Sequence, residues 1–246
     1  MRCPLLLIAL LFFSPAESHG TLRFAVYEPG FPPFIYIEEK QHKITGIVPK
    51  LLTSFTQQQS LSIEYVMDNR KGGEQRLYDG NVDAMLISPE WAKHPDQLLF
   101  TQAILPYDDY LFQRDTQEAP ENTSVTGKSV CTREYYVYPV LEKAFETKTM
   151  LRLDASSQQA QLRMLEKSRC DFAYINELVA YWLVERHFPG LRITPVSDYK
   201  ASTSLKIALH PRWHTHLPAL NAFIQAQRES GELDKIVAQF VISKQK

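Results

Sequence analysis

Four short stretches of this chain combine aromatic, amide and cationic side chains in a way that suits holding a small organic molecule. Tyr27, Phe31 and Phe34 sit in and beside EPGFPPF, residues 28–34. Ser88 and Trp91 belong to SPEW, and Arg133, Tyr135 and Tyr136 to TREYY. Asn176 closes the apolar run FAYI. Rings supply stacking area, hydroxyls and amides supply neutral hydrogen bonds, and a guanidinium supplies a fork for an anion. Two of these residues have plain alternatives: Phe34 suits a core-capping position, and Arg133 a solvated helix start.

Bond-breaking chemistry finds less support. His210, His214 and His216 in HPRWHTH carry metal-ligating side chains, but Pro211 makes the spacing irregular and no cysteine is near, so no metal site is expected. There is no nucleophile elbow, phosphate loop or HExxH. Glu90, Glu134 and Glu177 are the acid–base candidates, and none sits in a pattern that poises a proton. No cofactor is implied. A formal net charge of −1 without a basic stripe argues against a nucleic-acid partner.

The elements that must position these residues are organised around residues 77–88, LYDGNVDAMLIS. A helix end, a turn at Asp79-Gly80 and a nearly continuous apolar strand follow one another, the strand being of the kind covered on both faces. The pattern returns at residues 165–176 as LEKSRCDFAYIN, where Leu165 matches Leu77, Ser168 matches Gly80 and Asp171 matches Asp83. Two such units predict two similar α/β lobes. Asp83 and Asp171 begin their strands at the edge away from the crevice, which makes them structural. The 246 residues, 44% of them apolar, suffice for two small cores.

The N-terminus differs from the rest. Met1-Arg2 is a basic start, residues 5–13 are an apolar core too short to span a bilayer comfortably, and Ala16-Glu17-Ser18 offers small residues for cleavage. Residues 1–18 are therefore expected to be a cleaved signal peptide, and the mature chain to be secreted into a compartment that permits disulfides. Cys3 leaves with the signal. For Cys131 and Cys170, a disulfide closing a long loop and two buried thiols are both open.

Along the mature chain, strands are expected at residues 22–27, 61–67, 82–87, 127–131, 150–153 and 205–209. Helices are expected to start near residue 46 and to cover 74–78, 158–167, 177–187, 217–228 and 232–241, with another ending near 145. Residues 100–107 and 110–112 read as extended chain leaving the first lobe, and 116–126 as a polar surface connection.

Taken together, the Pro-aromatic loop after the first strand, the helix–turn–strand unit with its echo, and the ending LPALNAFIQAQRESGELDKIVAQF resemble the bacterial extracellular solute-binding proteins of family 3, which include polar amino-acid receptors. The resemblance covers essentially the whole mature chain. It implies an α/β, two-lobed periplasmic-binding-protein-like (type II) fold with a hinge and an interlobe cleft. Lobe 1 would comprise residues 19–110 plus 204–246, and lobe 2 residues 111–203. Ligands of open parallel sheets bind beyond the C-terminal strand edges, where the binding candidates named above stand.

Departures from the family pattern narrow the ligand. Amino-acid receptors of the family carry a Thr-Pro-Glu-Arg-like motif whose Arg holds the ligand carboxylate; the matching residues here are Ser88-Pro89-Glu90-Trp91. The acidic residue that pairs the ligand's ammonium matches Asn176, and the Gly-Thr turn of the second lobe is replaced by Arg133-Glu134-Tyr135. Ordinary α-amino acids are thus poor candidates, since a buried carboxylate without a charged partner is costly. The resemblance implies a monomeric carrier of a small polar or aromatic solute, serving the permease of an ABC transporter. A periplasmic sensor feeding a signalling partner and a dehydratase-like enzyme are the alternatives on the same fold.

Overall fold

The structure, a computed structural model, describes residues 20–38, 40–115 and 124–240. The expected signal peptide lies outside the described residues, as does most of the connection at 116–126. In chain order the first part holds β1 (Thr21–Tyr27), β2 (Gly30–Phe31), β3 (Ile35–Glu38), β4 (Lys43–Thr45), α1 (Ile47–Gln58), β5 (Ser62–Asp68), α2 (Arg70–Tyr78), β6 (Ala84–Leu86) and β7 (Leu99–Phe100). The middle holds β8 (Leu105–Arg114), β9 (Lys128–Arg133), α3 (Pro139–Glu146), β10 (Met150–Ala155), α4 (Gln158–Glu166), β11 (Phe172–Asn176), α5 (Glu177–His187) and β12 (Ile193–Leu205). The end returns with β13 (Ile207–Leu209), α6 (Leu217–Glu229) and α7 (Glu232–Ala238).

These strands form two five-stranded sheets, β5-β1-β6-β13-β7 and β10-β9-β11-β8-β12, and a small sheet β2-β3-β4. The chain passes from the first large sheet to the second through β8 and comes back through β12. These two strands pair antiparallel from Leu105↔Leu205 to Arg114↔Ile193, so both crossings run side by side. On the second sheet the period of two sorts residues between faces. Val130, Leu111 and Tyr174 pack toward Leu141 of α3, whereas Cys131, Phe112 and Ala173 join the cluster holding Leu162 and Leu165 of α4.

The repeat read from the sequence reappears in backbone angles. Gly80 and Ser168, the matched turn residues, both adopt the left-handed region, with φ of 69° and 55°. At Gly80 a Cβ would lie 3.1 Å from the Arg212 Nη1, so the turn also needs the missing side chain. The matched aspartates play one role twice. Asp83 donates its N–H to the Arg23 carbonyl and accepts from the Arg23 N–H, each at 2.7 Å. Asp171 does the same with Ser129, at 3.0 and 2.8 Å. Each carboxylate thereby fastens the start of its strand to the parallel strand beside it.

Helix α2 is longer than expected. It begins at Arg70 because Asn69 caps it, its side-chain oxygen accepting from the Gly72 N–H at 2.9 Å. A cap of this kind contributes about 1 kcal/mol, enough to carry Gly72 and Gly73 into the first turn. Strand β6 is shorter than residues 82–87, and the expected return strand divides into the end of β12 and β13. The cysteine alternatives resolve to a disulfide: Cys131 on β9 and Cys170 before β11 are buried and bonded, with Cα atoms 5.8 Å apart.

Candidate functional site

A cavity of about 30 Å³ lies between the two large sheets, room for a water-sized group. The first sheet contributes Tyr27 and Phe31 from the end of β1 and the following loop, together with Arg70 and Trp91. The second contributes Tyr136, Tyr138, Gln158, Gln161, Tyr174 and Asn176. Tyr107 and Asp109 project from the crossing strand β8.

Trp91 is held in place by a buried polar network. Arg70 and Glu74 form an i,i+4 ion pair at 3.2 Å, and Arg70 also donates to the Trp91 carbonyl. Glu74 accepts from the Lys93 N–H at 2.6 Å and from the Tyr78 hydroxyl at 2.8 Å, and that hydroxyl accepts from the His94 N–H. The segment 91–94 is thus anchored at three backbone groups, and the Trp91 ring meets Tyr107 edge-on at 4.8 Å.

The two walls are shut on each other. Arg70 donates to the Tyr135 carbonyl at 2.9 Å, and Arg133 to the Glu28 carbonyl at 2.8 Å. Tyr136 sits edge-on to Tyr27 and Phe31, with centroids 6.0 and 6.3 Å apart. Farther out, Tyr36 of β3 meets Trp182 of α5 at 5.0 Å.

Tyr27, Phe31, Trp91, Tyr136 and Asn176 are brought together on the cavity wall. The other sequence candidates stand elsewhere. Phe34 is fully buried behind the wall, against Phe31 and Tyr107. Ser88 is buried and donates to the Ser204 carbonyl, tying the first sheet to β12. Arg133 packs behind Tyr136 and reaches across to Glu28. Tyr135 turns its ring to solvent, 49% exposed, and gives the interface only its carbonyl. Asn176 reaches the wall, yet its amide is engaged by backbone. Its oxygen caps α5 by accepting from Leu178 and Val179, and its Nδ2 donates to the Asp108 carbonyl.

Two charged residues line the cavity, Arg70, which is paired with Glu74, and Asp109. Burial pushes the Asp109 carboxyl up to about 7; a hydrogen bond from Tyr107 opposes this in part and the neighbouring Asp108 adds to it. Burial likewise raises the Tyr136 hydroxyl to about 12, with Arg133 and Arg70 opposing. Several buried polar atoms of the wall have no protein partner: Tyr136 Oη, Tyr174 Oη, Gln158 Oε1 and Gln161 Oε1. Gln161 spends its nitrogen on the Cys131 and Tyr174 carbonyls, at 2.8 and 2.7 Å. Rings on both sides and unmet hydrogen-bonding groups at one end suit a small solute bound by stacking and a few polar contacts. Among the described residues no group of His, Cys, Asp and Glu is arranged to hold a metal ion.

Signals for the missed residues exist in the sequence. The buried stripe of α2, residues 70, 73, 74 and 77, reads Arg, Gly, Glu, Leu, and that of α4, residues 158, 161, 162 and 165, reads Gln, Gln, Leu, Leu. Polar residues in the apolar slots of a helix mark a buried polar site.

The sequence profile described as bacterial extracellular solute-binding proteins, family 3, matches residues 23–243. No curated protein matches the chain. Among solved structures, an ancestral arginine-binding protein bound to arginine matches with a TM-score of 0.74 at 18% identity, covering 90% of this chain and 98% of that one. The ancestral amino acid-binding protein AncCDT-1, a precursor of cyclohexadienyl dehydratase, gives 0.73 at 14% identity over 91% and 96%. A histidine kinase sensor domain with similarity to periplasmic binding proteins gives 0.72 at 18% identity over 92% and 97%. At these identities the likeness is one of fold, the two-lobed type II architecture.

Proposed function

This chain belongs to the bacterial extracellular solute-binding proteins, family 3, and we propose that it captures a small polar or aromatic solute between two lobes and delivers it to the permease of an ABC transporter. The lobes are residues 19–110 plus 204–246 and residues 111–203, and the mature protein acts as a monomer in the periplasm after loss of residues 1–18. The observation that carries this reading is the cavity itself. It lies between the two large sheets and is walled by rings from both, and its unmet hydrogen-bonding groups suit the polar head of a solute.

The paired crossings β8 and β12 are the hinge. In the open form the solute lands on Phe31 and Trp91; the second lobe then brings Tyr136 over it. Closure forms the Arg70–Tyr135 and Arg133–Glu28 hydrogen bonds, which stabilise the shut form only. The solute shifts this equilibrium by as much as it binds the shut form more tightly than the open one. Tryptophan at 91 and asparagine at 176 make free α-amino acids poor ligands.

Solution scattering tests this directly. Protein isolated with its natural solute is compared with the same protein stripped by unfolding and refolding. The stripped sample is expected to show the larger radius of gyration, and adding the extracted solute back should restore the smaller one. Equal radii in all three samples would refute closure on a ligand.

A further inference from the structure

Asp109 is a carboxyl on the cavity wall for which the capture mechanism above has no use. We propose that Asp109 is the counter-ion for a protonated amine on the solute, so that the ligand is an organic cation. This rests on reading the cavity as the solute site.

The geometry carries it in three steps. First, Asp109 has no cation of its own among the described residues. Its neighbour Asp108 takes Lys200 at 3.2 Å, and Arg70 is committed to Glu74. Second, no unspent positive charge stands on the cavity wall. Asp109 lies among the hydroxyls of Tyr107, Tyr136, Tyr138 and Tyr174, which are uncharged at neutral pH, and the Arg70 guanidinium is taken up by Glu74 and the Trp91 and Tyr135 carbonyls. Third, the unmet polar atoms that line the cavity accept, while the unmet Arg133 nitrogens pack on the Tyr136 ring outside that lining. Gln158 Oε1 and Gln161 Oε1, on side chains 5% and 1% exposed, are acceptors only, and the Tyr136 and Tyr174 hydroxyls accept as readily as they donate.

An ammonium offers several donors and no acceptor, which matches this inventory. A carboxylate in the same place would face Asp109 and two amide oxygens. An ammonium head also suits a cavity of about 30 Å³. Gln158 also lines a second, larger groove of about 570 Å³ beside Tyr36 and Trp182, and we place the body of the solute on that side, reached when the lobes open.

Three compounds with one body and different heads test the proposal on the full-length mature protein: phenethylamine, phenethyl alcohol and 3-phenylpropionate. The amine alone is expected to bind the wild type in calorimetric titration, with affinity about thirtyfold or more lower in Asp109→Asn. Equal or stronger binding of the alcohol or the acid, unchanged amine binding by Asp109→Asn, or no binding of the amine would overturn the assignment. The comparison among heads needs no variant, so it holds even where Asp109→Asn fails to fold. Trp91→Ala separates the two readings. Amine binding lost in Trp91→Ala but kept in Asp109→Asn leaves the cavity as the site and removes Asp109; binding kept in both moves the site elsewhere.

Discussion

Arg70 of α2 donates a hydrogen bond to the backbone carbonyl of Tyr135 at 2.9 Å, joining the helix of one sheet to the loop that follows β9 of the other. Tyr135 presents that carbonyl from a left-handed backbone, with φ of 65°, which costs a non-glycine residue on the order of 1 kcal/mol. Its ring is half exposed and packs little, so the contact is made by main chain alone. Arg70 belongs simultaneously to the pair with Glu74, both side chains 7% exposed. One guanidinium therefore links the positioning of Trp91 to the closing of the cavity.

Removing that cation should be costly because it strands an anion. Arg70→Met leaves Glu74 buried without its partner, and a loss of about 3 kcal/mol in urea unfolding is expected. Adding Glu74→Gln should recover part of the loss. A double variant as unstable as the sum of the singles would show that the pair is not coupled.

The disulfide should matter as much. It closes a sequence separation of 39 residues between Cys131 and Cys170, which in the chain-entropy account corresponds to about 4 kcal/mol. Cys131→Ala with Cys170→Ala should lower the urea midpoint by that equivalent, and reductant should do the same to the wild type and nothing to the variant. Insensitivity of the wild type to reductant would mean that the thiols are not bonded.

Acid stability should depend on Asp83. Burial alone would raise its carboxyl, but the Arg23 N–H, then Arg212 and Trp213, hold it below the usual carboxylate range. A depressed carboxyl stabilises the fold above its unfolded value, about 4, and the contribution disappears as pH falls through the folded value. Asp83→Asn should accordingly be destabilised most at neutral pH and converge on the wild type in acid. A pH-independent difference would sink the assignment.

Asp109 carries the opposite sign. Its carboxyl, pushed up to about 7, stabilises the unliganded fold below pH 4 and loses that contribution as pH rises to 7. The groups around it are the hydroxyls of Tyr107, Tyr136, Tyr138 and Tyr174, all above 10, Asp108, which is paired with Lys200, and on the same cavity wall Arg70, which is paired with Glu74. The stability of wild type relative to Asp109→Asn should fall between pH 4 and 7, while affinity for an amine should rise through pH 7. An affinity that is flat across that range would contradict the pairing.

Much of the frame was legible because it obeys local rules. The repeat at residues 77–88 and 165–176 is written in turn chemistry and apolar runs, and Gly80 and Ser168 share one backbone conformation for that reason. Strand ends and ring types mark Tyr27, Phe31, Trp91 and Tyr136, which line the cavity; Arg70 and Asp109 carry no such mark. Arg70 is hidden by Gly72-Gly73, which mask the first turn of α2, and Asp109 lies on a crossing strand whose neighbours come from distant segments: Asn176 on one side and Ala201 on the other. The side chains of Ser88 and Asn176 are taken up by backbone partners that no spacing rule announces.

Native mass spectrometry of the protein isolated gently from its native host, wild type beside Trp91→Ala, tests the solute site most directly. Trp91 is half-buried on the cavity wall and packs against the core from there, so the variant should keep its fold with a lowered melting temperature. Losing a stacking ring costs on the order of 1 kcal/mol or more beyond lost area, about tenfold in affinity. The expected result is one small-molecule adduct per wild-type chain, released on unfolding, with correspondingly lower occupancy in Trp91→Ala. An adduct held equally by the folded variant would contradict a solute site between the two sheets.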